Sequence, residues 1–569
     1  MSRAFVHISK YKKNFDYNQI LVEKLFNYSD DSFFLSAGGN PDTCIEGSQN
    51  NSKTGFIVLG LDISSQNGEL KFLNSESWNE IHQNFNPSEI DGHFVIIKWE
   101  EKQINVYTDL LGLRDIYLYR NPEDIYLSTN PLLLKNFRTL ELDFSVFGSR
   151  WLLFNQISPH SIIKGIERIS SGTRLIINRN DLSIEKIQAD FIPKSDVSSD
   201  IKSIDEKLSQ LILSPLKQNK KLSLSLSGGM DSRVLLSYLL DSNNNNWFCH
   251  TFGSTDNPDK IVTEQIVADY NLRHDFINTE INEPDKIIAE LKEYLSFTFA
   301  CNPASEIIQL MNYKSIQSKQ DVIIDGGFGE IWRRQFLNKL FYFGKNAIQN
   351  VNIPEIIKYM SLPKADIFLD NVKQIMYQGT CEQIEDIMNK LPYVKEIGLA
   401  NWLDLFAIKT RLVNLYSHEQ TRLDQSHVCY MPFAQLSLMK NLFSVDVNIR
   451  KDSKLSRKLI AKHQSSLAKY PLAKNDFTYP FNSSPLRLIL TGKIKKKIGS
   501  KFKDYSKINF LNKISEYILD TINSKSVREY PYYNYENICK IGEQFRNNPN
   551  EYHRELDWFL SFEIFKELL

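Results

Sequence analysis

The 569-residue sequence has little of what marks several specialised protein classes. It contains six cysteines, and no two of them are separated by two residues, which excludes zinc ribbons and thioredoxin-type redox motifs. No apolar run approaches the roughly 18 residues of a transmembrane helix, and the first residues lack the apolar segment of a secretory signal. These absences predict reduced thiols in a cytoplasmic protein.

The sequence also has no surplus of either charge. Lysine and arginine together number 68, aspartate and glutamate together number 68, and the formal net charge is zero. Proteins that coat nucleic acid normally carry a basic surplus, so no nucleic-acid partner is predicted. Hydrophobic residues at 42% and charged residues at 24% are typical of a globular protein.

Two kinds of periodicity divide the chain. Up to about residue 190 the sequence predicts antiparallel strands. Residues 94–99 are a run of β-favouring residues, and apolar and polar residues alternate at 104–107, 116–119, 125–128 and 173–177. Strands and helices alternate from residue 200, which is typical of a parallel α/β sheet, and the pattern is mostly helical after residue 330. The predicted domains are residues 1–190, 200–480 and 481–569, with a polar linker near 193–200.

The most informative stretch is a strand, a glycine turn and a helix start at residues 222–236. Gly228 and Gly229 allow the backbone to approach a ligand and to direct N–H groups at it. The helix N-terminus adds positive potential, which suits a phosphate. Ser227 and Ser232 offer hydroxyl donors, and Asp231 is suited to hold Mg²⁺ on the anion. A Walker loop is excluded because no Gly-Lys-Ser/Thr follows the glycines.

The Ser-Gly-Gly-x-Asp-Ser pattern resembles the pyrophosphate-binding loop of the N-type ATP pyrophosphatases, which cleave ATP to AMP and pyrophosphate. Further segments resemble the asparagine synthetase superfamily in the same order along the chain, at residues 247–253, 322–331, 431–433, 454–458 and 473–477. The resemblance implies a doubly wound parallel sheet of the adenine-nucleotide α-hydrolase type, with ATP and Mg²⁺ as cofactors.

The resemblance also implies a set of site residues. The pyrophosphate loop comprises Leu226, Ser227, Gly228, Gly229, Asp231 and Ser232. The end of the next strand, near the adenine, comprises Phe252 and Gly253, and the second phosphate loop comprises Asp325, Gly326 and Gly327. The acid that holds Mg²⁺ together with Asp231 is either Glu330 or Asp325, because the alignment is ambiguous by one residue. Lys474 is placed to stabilise charge on the α-phosphate, so the implied catalytic residues are Lys474, Asp231 and Glu330.

The N-terminal region resembles the class II glutaminase domains at residues 91–96 and 111–119, which implies an α+β sandwich of the N-terminal-nucleophile type. A working glutaminase of that class needs a cysteine at its processed N-terminus, but here Met1 is followed by Ser2. The family's glutamine-recognition stretches are also missing. The resemblance therefore implies a degenerate domain without glutaminase activity. The attacking amine would then be free ammonia, ammonia from a partner protein, or an amine of the substrate.

The implied function is AMP-forming amide synthesis on a small-molecule or peptide carboxylate. One interpretation is amidation of a uronic sugar for surface polysaccharide, and another is an intramolecular amide former resembling the lasso-peptide cyclases or β-lactam synthetase. Adenylation of a nucleobase and a non-catalytic nucleotide-binding scaffold are further alternatives. Four arginines either bind an anionic substrate or pair with acidic residues, namely Arg333, Arg334, Arg411 and Arg422.

The last region, residues 481–569, matches no part of the resemblance. Its basic stretch from Lys493 to Lys503 either contacts an anionic membrane surface peripherally or is a solvated helix face. The aromatic residues that follow, at 530–535 and 558–562, are interpreted mainly as packing material.

Overall fold

The structure is a computed structural model that describes most of the chain. The described residues are 3–13, 17, 20, 24–48, 53–66, 68–81, 85–192, 200–253, 257–278, 283–316, 321–424, 427–474, 477–483 and 505–569. The predicted fold class is confirmed, because two antiparallel sheets are followed by a parallel sheet and a helical C-terminal region.

The N-terminal region is a sandwich of two antiparallel sheets. Its described strands are β1 (Arg3–Ser9), β2 (Phe26–Ser29), β3 (Phe33–Gly38), β4 (Cys44–Ser48), β5 (Gly55–Gln66), β6 (Glu69–Phe72), β7 (Asp91–Trp99), β8 (Gln103–Thr108), β9 (Tyr117–Arg120), β10 (Asp124–Ser128), β11 (Glu167–Arg168), β12 (Thr173–Asn178) and β13 (Ile184–Gln188). The first sheet has the order β11-β9-β10-β1-β3-β2. The second has the order β13-β12-β8-β7-β5-β4, with β6 paired to β5. Apolar side chains of both sheets share one core between them.

Helix α1 (Ser75–Ile81) packs on the outside of this sandwich, and α2 (Phe144–Leu152) packs along a later helix at Asp370–Lys390. Strand β12 alternates buried and half-buried residues, as its period-two sequence predicts. Strand β7 is buried at nearly every position. The reason is that Trp78 of α1 packs on its outer face with Phe94 and Ile96.

The central region is built on a five-stranded parallel sheet. Its first elements are α3 (Ile201–Lys217), β14 (Leu222–Ser225), α4 (Met230–Asp241), β15 (Trp247–Phe252), α5 (Pro258–Tyr270), β16 (His274–Ile277), α6 (Pro284–Thr298), α7 (Ile307–Lys314), β17 (Val322–Ile324) and, later in the chain, β18 (Val428–Tyr430). The strand order is β16-β15-β14-β17-β18. The chain therefore moves to one side of β14 and then to the other. In such sheets, ligands bind at the carboxyl ends of the strands beside this switch point.

Helices fill most of the chain between β17 and the end of this region. They are α8 (Gly329–Trp332), α9 (Asn338–Phe343), α10 (Lys345–Gln349), α11 (Ile353–Met360), α12 (Asp370–Lys390), α13 (Val394–Ala407), a π-helix (Ile408–Tyr416), α14 (Ser417–Leu423), α15 (Leu436–Phe443), α16 (Val447–Arg450) and α17 (Lys454–Gln464). A hairpin of β19 (Leu472–Lys474) and β20 (Phe477–Tyr479) follows. Helix α17 packs along α4 and so brings this hairpin to the end of β14.

Short 3₁₀-helices connect several of these elements, at Pro41–Thr43, Pro87–Glu89, Pro131–Asn136, Ala304–Glu306, Pro432–Ala434, Lys451–Ser453 and Ser465–Lys469. The C-terminal helices are α18 (Ser506–Lys513), α19 (Ser515–Asn523), α20 (Lys525–Arg528), α21 (Tyr535–Asn547) and α22 (Pro549–Leu568).

Helix α22 is buried on all sides near its C-terminal end. Its residues from Leu556 to Phe565 are buried without interruption. They share one apolar core with Phe147 and Trp151 of α2 and with Leu295 of α6. The interpretation of the late aromatic residues as packing material is confirmed for Trp558 and Phe562. The basic stretch at 493–503 lies outside the described residues.

None of the helices in the described ranges combines the length and the apolar character that a membrane crossing requires.

A buried group of charges joins the sandwich to the central region. The Arg114 guanidinium, which follows β8, donates to the carboxylate of Asp424, which follows α14. His93 Nε2 lies 3.2 Å from Asp424 Oδ1. Burial, together with the charge of Arg114, lowers the pKa of His93 to about 3. We call Arg114, His93 and Asp424 the junction cluster.

Candidate active site

The loop between β14 and α4 folds back on its own hydroxyl groups. The Ser227 N–H donates to Ser232 Oγ at 3.1 Å, and the Gly229 N–H donates to Ser227 Oγ at 3.2 Å. The two hydroxyl oxygens lie 3.0 Å apart. Helix α4 begins at Met230, so Asp231 and Ser232 are in its first turn, as the sequence predicts. The loop is thus held in a compact arrangement at the positive end of a helix.

Gly228 is the point where two distant segments reach this loop. Its N–H donates to Asp259 Oδ1 at 2.7 Å, and its carbonyl accepts from the Ala473 N–H at 2.9 Å. A Cβ at Gly228 would lie 2.6 Å from Ala473 Cβ, so only glycine permits this approach. Burial raises the pKa of Asp259, although the Gly228 N–H opposes the shift. Asp259 was missed by sequence reasoning, and its only signal was an acid in the first turn of α5.

A fully buried arginine fastens the hairpin to the loop. Arg233 donates to the carbonyl oxygens of Tyr470 at 2.8 Å, Pro471 at 2.7 Å and Gly228 at 3.2 Å. Strand β19 therefore begins beside the loop and ends at Lys474. The backbone of Lys474 lies one residue beyond the contact of Ala473 with Gly228. Its side chain lies outside the described part of the structure.

The second predicted loop wraps around Asp231. A Cβ at Gly329 would lie 2.2 Å from Asp231 Cγ, and a Cβ at Gly326 would lie 2.8 Å from Asp231 Cβ. At Gly327, a Cβ would lie 2.4 Å from the sulfur of Met431, which belongs to another predicted segment. The glycines of this loop are therefore required by contact with their neighbours.

Asp325 and Glu330, the two alternative metal-holding acids, have different surroundings. Asp325 Oδ1 accepts the N–H of Gly327 at 2.6 Å and so closes its own turn. Burial raises the pKa of Asp325 to about 6, with the Gly327 N–H opposing the shift. Glu330 instead faces a cavity that also contains Asp231.

This cavity has a volume of about 490 Å³ and opens beside the loop of residues 227–232. Its described lining consists of Gly229, Met230, Asp231, Glu330, Arg333, Gln335, Phe336, Leu337, Asn338, Arg411, Tyr416, Asp452, Ser453, Arg457, Leu472, Ala473, Tyr479 and Ser483. The lining therefore combines acidic, basic and aromatic side chains from segments more than 200 residues apart. We call it the loop cavity.

Two carboxylate–guanidinium pairs cross the loop cavity. Arg333 Nη2 donates to Asp231 Oδ2 at 2.7 Å. Arg411 Nε donates to Glu330 Oε1 at 2.9 Å, and Tyr416 OH donates to the same oxygen at 3.0 Å. Burial raises the pKa of Asp231, and the charge of Arg333 opposes the shift. Arg411 and Tyr416 both come from the π-helix, an element often found at functional sites.

Arg334 and Arg422, the other two candidate arginines, lie away from this cavity's described lining. Arg334 is fully buried 3.5 Å from Asp404. Arg422 Nη1 donates to Tyr294 OH at 3.4 Å. The pairing interpretation of these arginines is therefore confirmed for Arg333, Arg334 and Arg411.

The residues present fit a magnesium ion whose coordination shell is completed by a bound phosphate and water. Within the described ranges, no group of three or more His, Cys, Asp or Glu side chains is arranged to hold a metal. Mg²⁺ usually takes one or two protein carboxylates and fills its shell with substrate phosphates and water. Asp231 Oδ1 is buried and has no hydrogen-bond partner among the described residues, so this oxygen is suited to a cation.

Leu226, Phe252 and Gly253 lie at the carboxyl ends of the strands but do not belong to the described lining of the loop cavity. The carbonyl of Leu226 accepts from Thr251 Oγ1 at 2.8 Å. The Phe252 ring meets the Tyr313 ring edge-on at 4.7 Å between centroids. Gly253 has a φ of +134°, which favours glycine. These residues shape the edge of the sheet next to the loop.

Tyr416, Arg457 and Tyr479 line the cavity although sequence reasoning gave none of them a role. Arg457 lies in the segment 454–458, and the resemblance of that segment assigns Arg457 no role. Tyr479 OH is buried without a hydrogen-bond partner among the described residues. Burial raises the pKa of Tyr479 to about 12, with Arg333 opposing the shift, so the hydroxyl keeps its proton. For Tyr416 and Tyr479 the sequence offered no signal beyond their residue type.

No family model matches the chain. The chain is similar to the Microcin J25-processing protein McjC of Escherichia coli, with 23% identity over 207 residues. The match spans 36% of this chain and 39% of that relative, so less than half of the relative's length is represented.

Similarity to solved structures is weaker. Glutamine phosphoribosylpyrophosphate amidotransferase from B. subtilis, complexed with ADP and GMP, gives 10% identity and a TM-score of 0.20, over 58% of this chain and 71% of that one. An allosteric regulatory enzyme of purine biosynthesis gives 9% identity and a TM-score of 0.21, over 67% of this chain and 85% of that one. TM-scores this low support no inference about this chain.

Proposed function

We propose that this chain forms amide bonds at the expense of ATP. An oxygen of the substrate carboxylate attacks the α-phosphorus of ATP, and pyrophosphate leaves. An amine then attacks the activated carbonyl, AMP leaves with the former carboxylate oxygen, and the nitrogen loses a proton. The observation that carries the proposal is the loop cavity, where the Ser-Gly-Gly-x-Asp-Ser loop meets Glu330, Arg457 and Ala473 from the other segments that resemble asparagine synthetases.

The chain's own residues divide the work between anion binding and charge balance. The Ser227 and Ser232 hydroxyls and the Gly229 N–H would turn from each other to the departing pyrophosphate, at the N-terminus of α4. The backbone position of Lys474 beside the loop supports its proposed role on the α-phosphate. The Tyr479 hydroxyl, protonated at neutral pH, would donate a hydrogen bond into the cavity.

Asp231 and Glu330 would hold Mg²⁺. When bound, the ion supplies positive charge that stabilises the pentavalent phosphorus and the leaving pyrophosphate. The chain's contribution is to fix Glu330 in place, because Arg411 and Tyr416 contact it from one side. The glycines at 326 and 329 confine Asp231 in the same way.

For the substrate, we propose a peptide that carries both the carboxylate and the amine. Similarity to a protein that processes a microcin favours a peptide over a uronic sugar. A substrate amine also removes the need for glutamine hydrolysis as a source of ammonia.

The test is product release from purified full-length protein. Mg·ATP is supplied with short peptides that have a free amino terminus and an Asp or Glu side chain, and separately with galacturonate and ammonium chloride. AMP and pyrophosphate in the peptide arm alone are the expected result. Release only with galacturonate would replace the peptide assignment by the sugar assignment.

The matched variant is Asp231→Asn, which keeps the size of the side chain. We expect AMP release to fall at least about 100-fold, because the charge that holds the cation is gone. Undiminished release in this variant would overturn the proposal. Failure of wild-type protein to bind Mg·ATP in a calorimetric titration would instead support a scaffold without catalysis.

A further inference from the structure

We propose that Arg333 is an internal substitute for the metal cation, and that it competes with Mg²⁺ for the carboxylate of Asp231. The inference rests on the proposed function, since it assumes that Asp231 is the carboxylate that holds the ion. It adds a role for a residue that has no place in the reaction itself. It also gives a reason for the basic residues that follow the second glycine loop.

One carboxylate oxygen of Asp231 accepts a hydrogen bond, and the other has no hydrogen-bond partner within the described residues. Oδ2 accepts from Arg333 Nη2 at 2.7 Å, whereas Oδ1 is buried and has no hydrogen-bond partner within the described residues. A buried carboxylate without a counter-charge is costly. Arg333 reduces that cost as long as no other cation is present.

The two pairs in the loop cavity are held to different degrees. Glu330 accepts from both Arg411 and Tyr416. The Arg411 guanidinium also lies 5.3 Å from the centre of the Phe336 ring and 5.5 Å from the centre of the Tyr416 ring. Two further side chains, Tyr416 and Phe336, therefore keep the Glu330–Arg411 pair together.

Arg333 is held by fewer contacts than Arg411. Besides Asp231, its recorded side-chain hydrogen bond is from Nη1 to Gln335 Oε1 at 2.8 Å. Its Nε has no hydrogen-bond partner within the described residues. Side-chain exposures of 21% for Arg333 and 18% for Asp231 leave the pair in contact with the cavity. Mg²⁺ carries twice the charge of a guanidinium, so the ion can displace Arg333 from a pair that borders the cavity.

The experiment measures cation binding and not turnover. Full-length wild type and Arg333→Met are titrated with MgCl₂ by calorimetry, at a fixed concentration of α,β-methylene-ATP, which is not cleaved between the α- and β-phosphates. We expect the Mg²⁺ concentration at half-saturation to fall about three- to tenfold in Arg333→Met, because the competitor has been removed. Arg333→Lys, which keeps the charge, should remain close to wild type.

Arg457→Met is the matched control. It removes the same charge from the same cavity, but Arg457 donates to backbone carbonyls of Asp452 and Ser483 and not to a carboxylate. Its half-saturation should stay within about twofold of wild type. An equal fall of the half-saturating Mg²⁺ concentration in Arg457→Met would overturn the inference. The effect would then come from the overall electrostatic field of the cavity and not from competition for Asp231.

Other outcomes separate this inference from the proposed function. An unchanged or raised Mg²⁺ requirement in Arg333→Met, with normal nucleotide binding by wild type, overturns the inference alone. If wild type binds neither Mg²⁺ nor the nucleotide, both proposals fail together. Should Arg333→Met not fold, Arg333→Gln removes the same charge with a polar side chain and gives the same comparison.

Discussion

The junction cluster and the loop cavity use the same chemistry, an arginine against an aspartate, in different environments. The side chains of Arg114 and Asp424 are 2% and 0% exposed, and Asp424 is also contacted by His93. Arg333 and Asp231 are 21% and 18% exposed, and one oxygen of Asp231 has no recorded partner within the described ranges. A fully buried pair whose carboxylate is contacted on both oxygens serves structure. A pair that borders a cavity and leaves one carboxylate oxygen without a hydrogen bond in the described ranges can be exchanged for a ligand.

The largest loss of stability is expected when the buried Arg114–Asp424 pair is broken. Asp424→Ala leaves the buried Arg114 guanidinium without its direct carboxylate partner, so the free energy of unfolding should fall by about 3 to 5 kcal/mol. Urea unfolding followed by fluorescence measures it. Asp231→Ala is the comparison, and it should change stability by less than about 1 kcal/mol. Equal losses in the two variants would contradict the distinction between the two regions.

A second prediction concerns the confinement of Asp231. Gly329→Ala would place a methyl group 2.2 Å from Asp231 Cγ, so the second loop must shift. Stability should fall by about 1 to 3 kcal/mol, and nucleotide binding should weaken along with it. Thermal unfolding and calorimetric titration measure the two effects. Gly542→Ala in α21, where the nearest atom is a terminal methyl of Ile522, should bind nucleotide normally.

The third prediction is a pH dependence that belongs to the junction cluster. The pKa of His93 is about 3 in the folded protein, below the usual value of 6.5. Below pH 6.5, His93 is therefore protonated in the unfolded chain but stays neutral in the folded protein. The free energy of unfolding falls as the pH drops towards 3. The slope that His93 contributes to the free energy of unfolding approaches about 1.4 kcal/mol per pH unit. His93→Gln should show a shallower decline between pH 6.5 and 4.5 in urea unfolding, and a decline as steep as wild type would exclude His93 as its source.

The smallest effect is expected at Tyr416. Tyr416→Phe keeps the ring beside Arg411 but removes the hydroxyl that donates to both oxygens of Glu330. The loss of one such hydrogen bond is worth about 0.5 to 1.5 kcal/mol. Affinity for Mg²⁺ with α,β-methylene-ATP should fall about three- to tenfold, with the melting temperature nearly unchanged. A variant as tight as wild type would mean that Arg411 alone positions Glu330.

Local patterns explain what could be predicted from the sequence. The loop at 227–232 depends on neighbours two to five residues apart, so its glycines and serines identify it directly. Strands β8, β9, β10 and β12 follow from period-two alternation within single segments, and β7 follows from a run of β-favouring residues. The fold class follows from the order of such segments along the chain.

Contacts between residues far apart along the chain explain what could not be predicted from the sequence. Arg333 reaches Asp231 across 102 residues, and Tyr416 reaches Glu330 across 86. Nothing local to either residue indicates its partner, so the sequence left substrate binding and acid pairing as equal alternatives for the arginines. Asp259 is similar, since only the close approach of α5 to Gly228 reveals its contact.

The burial of α22 has a consequence for how the chain is made. The rings of Phe147 and Trp151 pack against Phe562, at centroid distances of 5.4 and 5.6 Å. A ribosome that adds about 5 to 20 residues per second needs on the order of 20 to 80 seconds to reach Phe562 after completing Trp151. During that interval the apolar face of α2 lacks its final partner. Until α22 is synthesised, the nascent chain therefore exposes apolar surface on α2 that the folded protein buries.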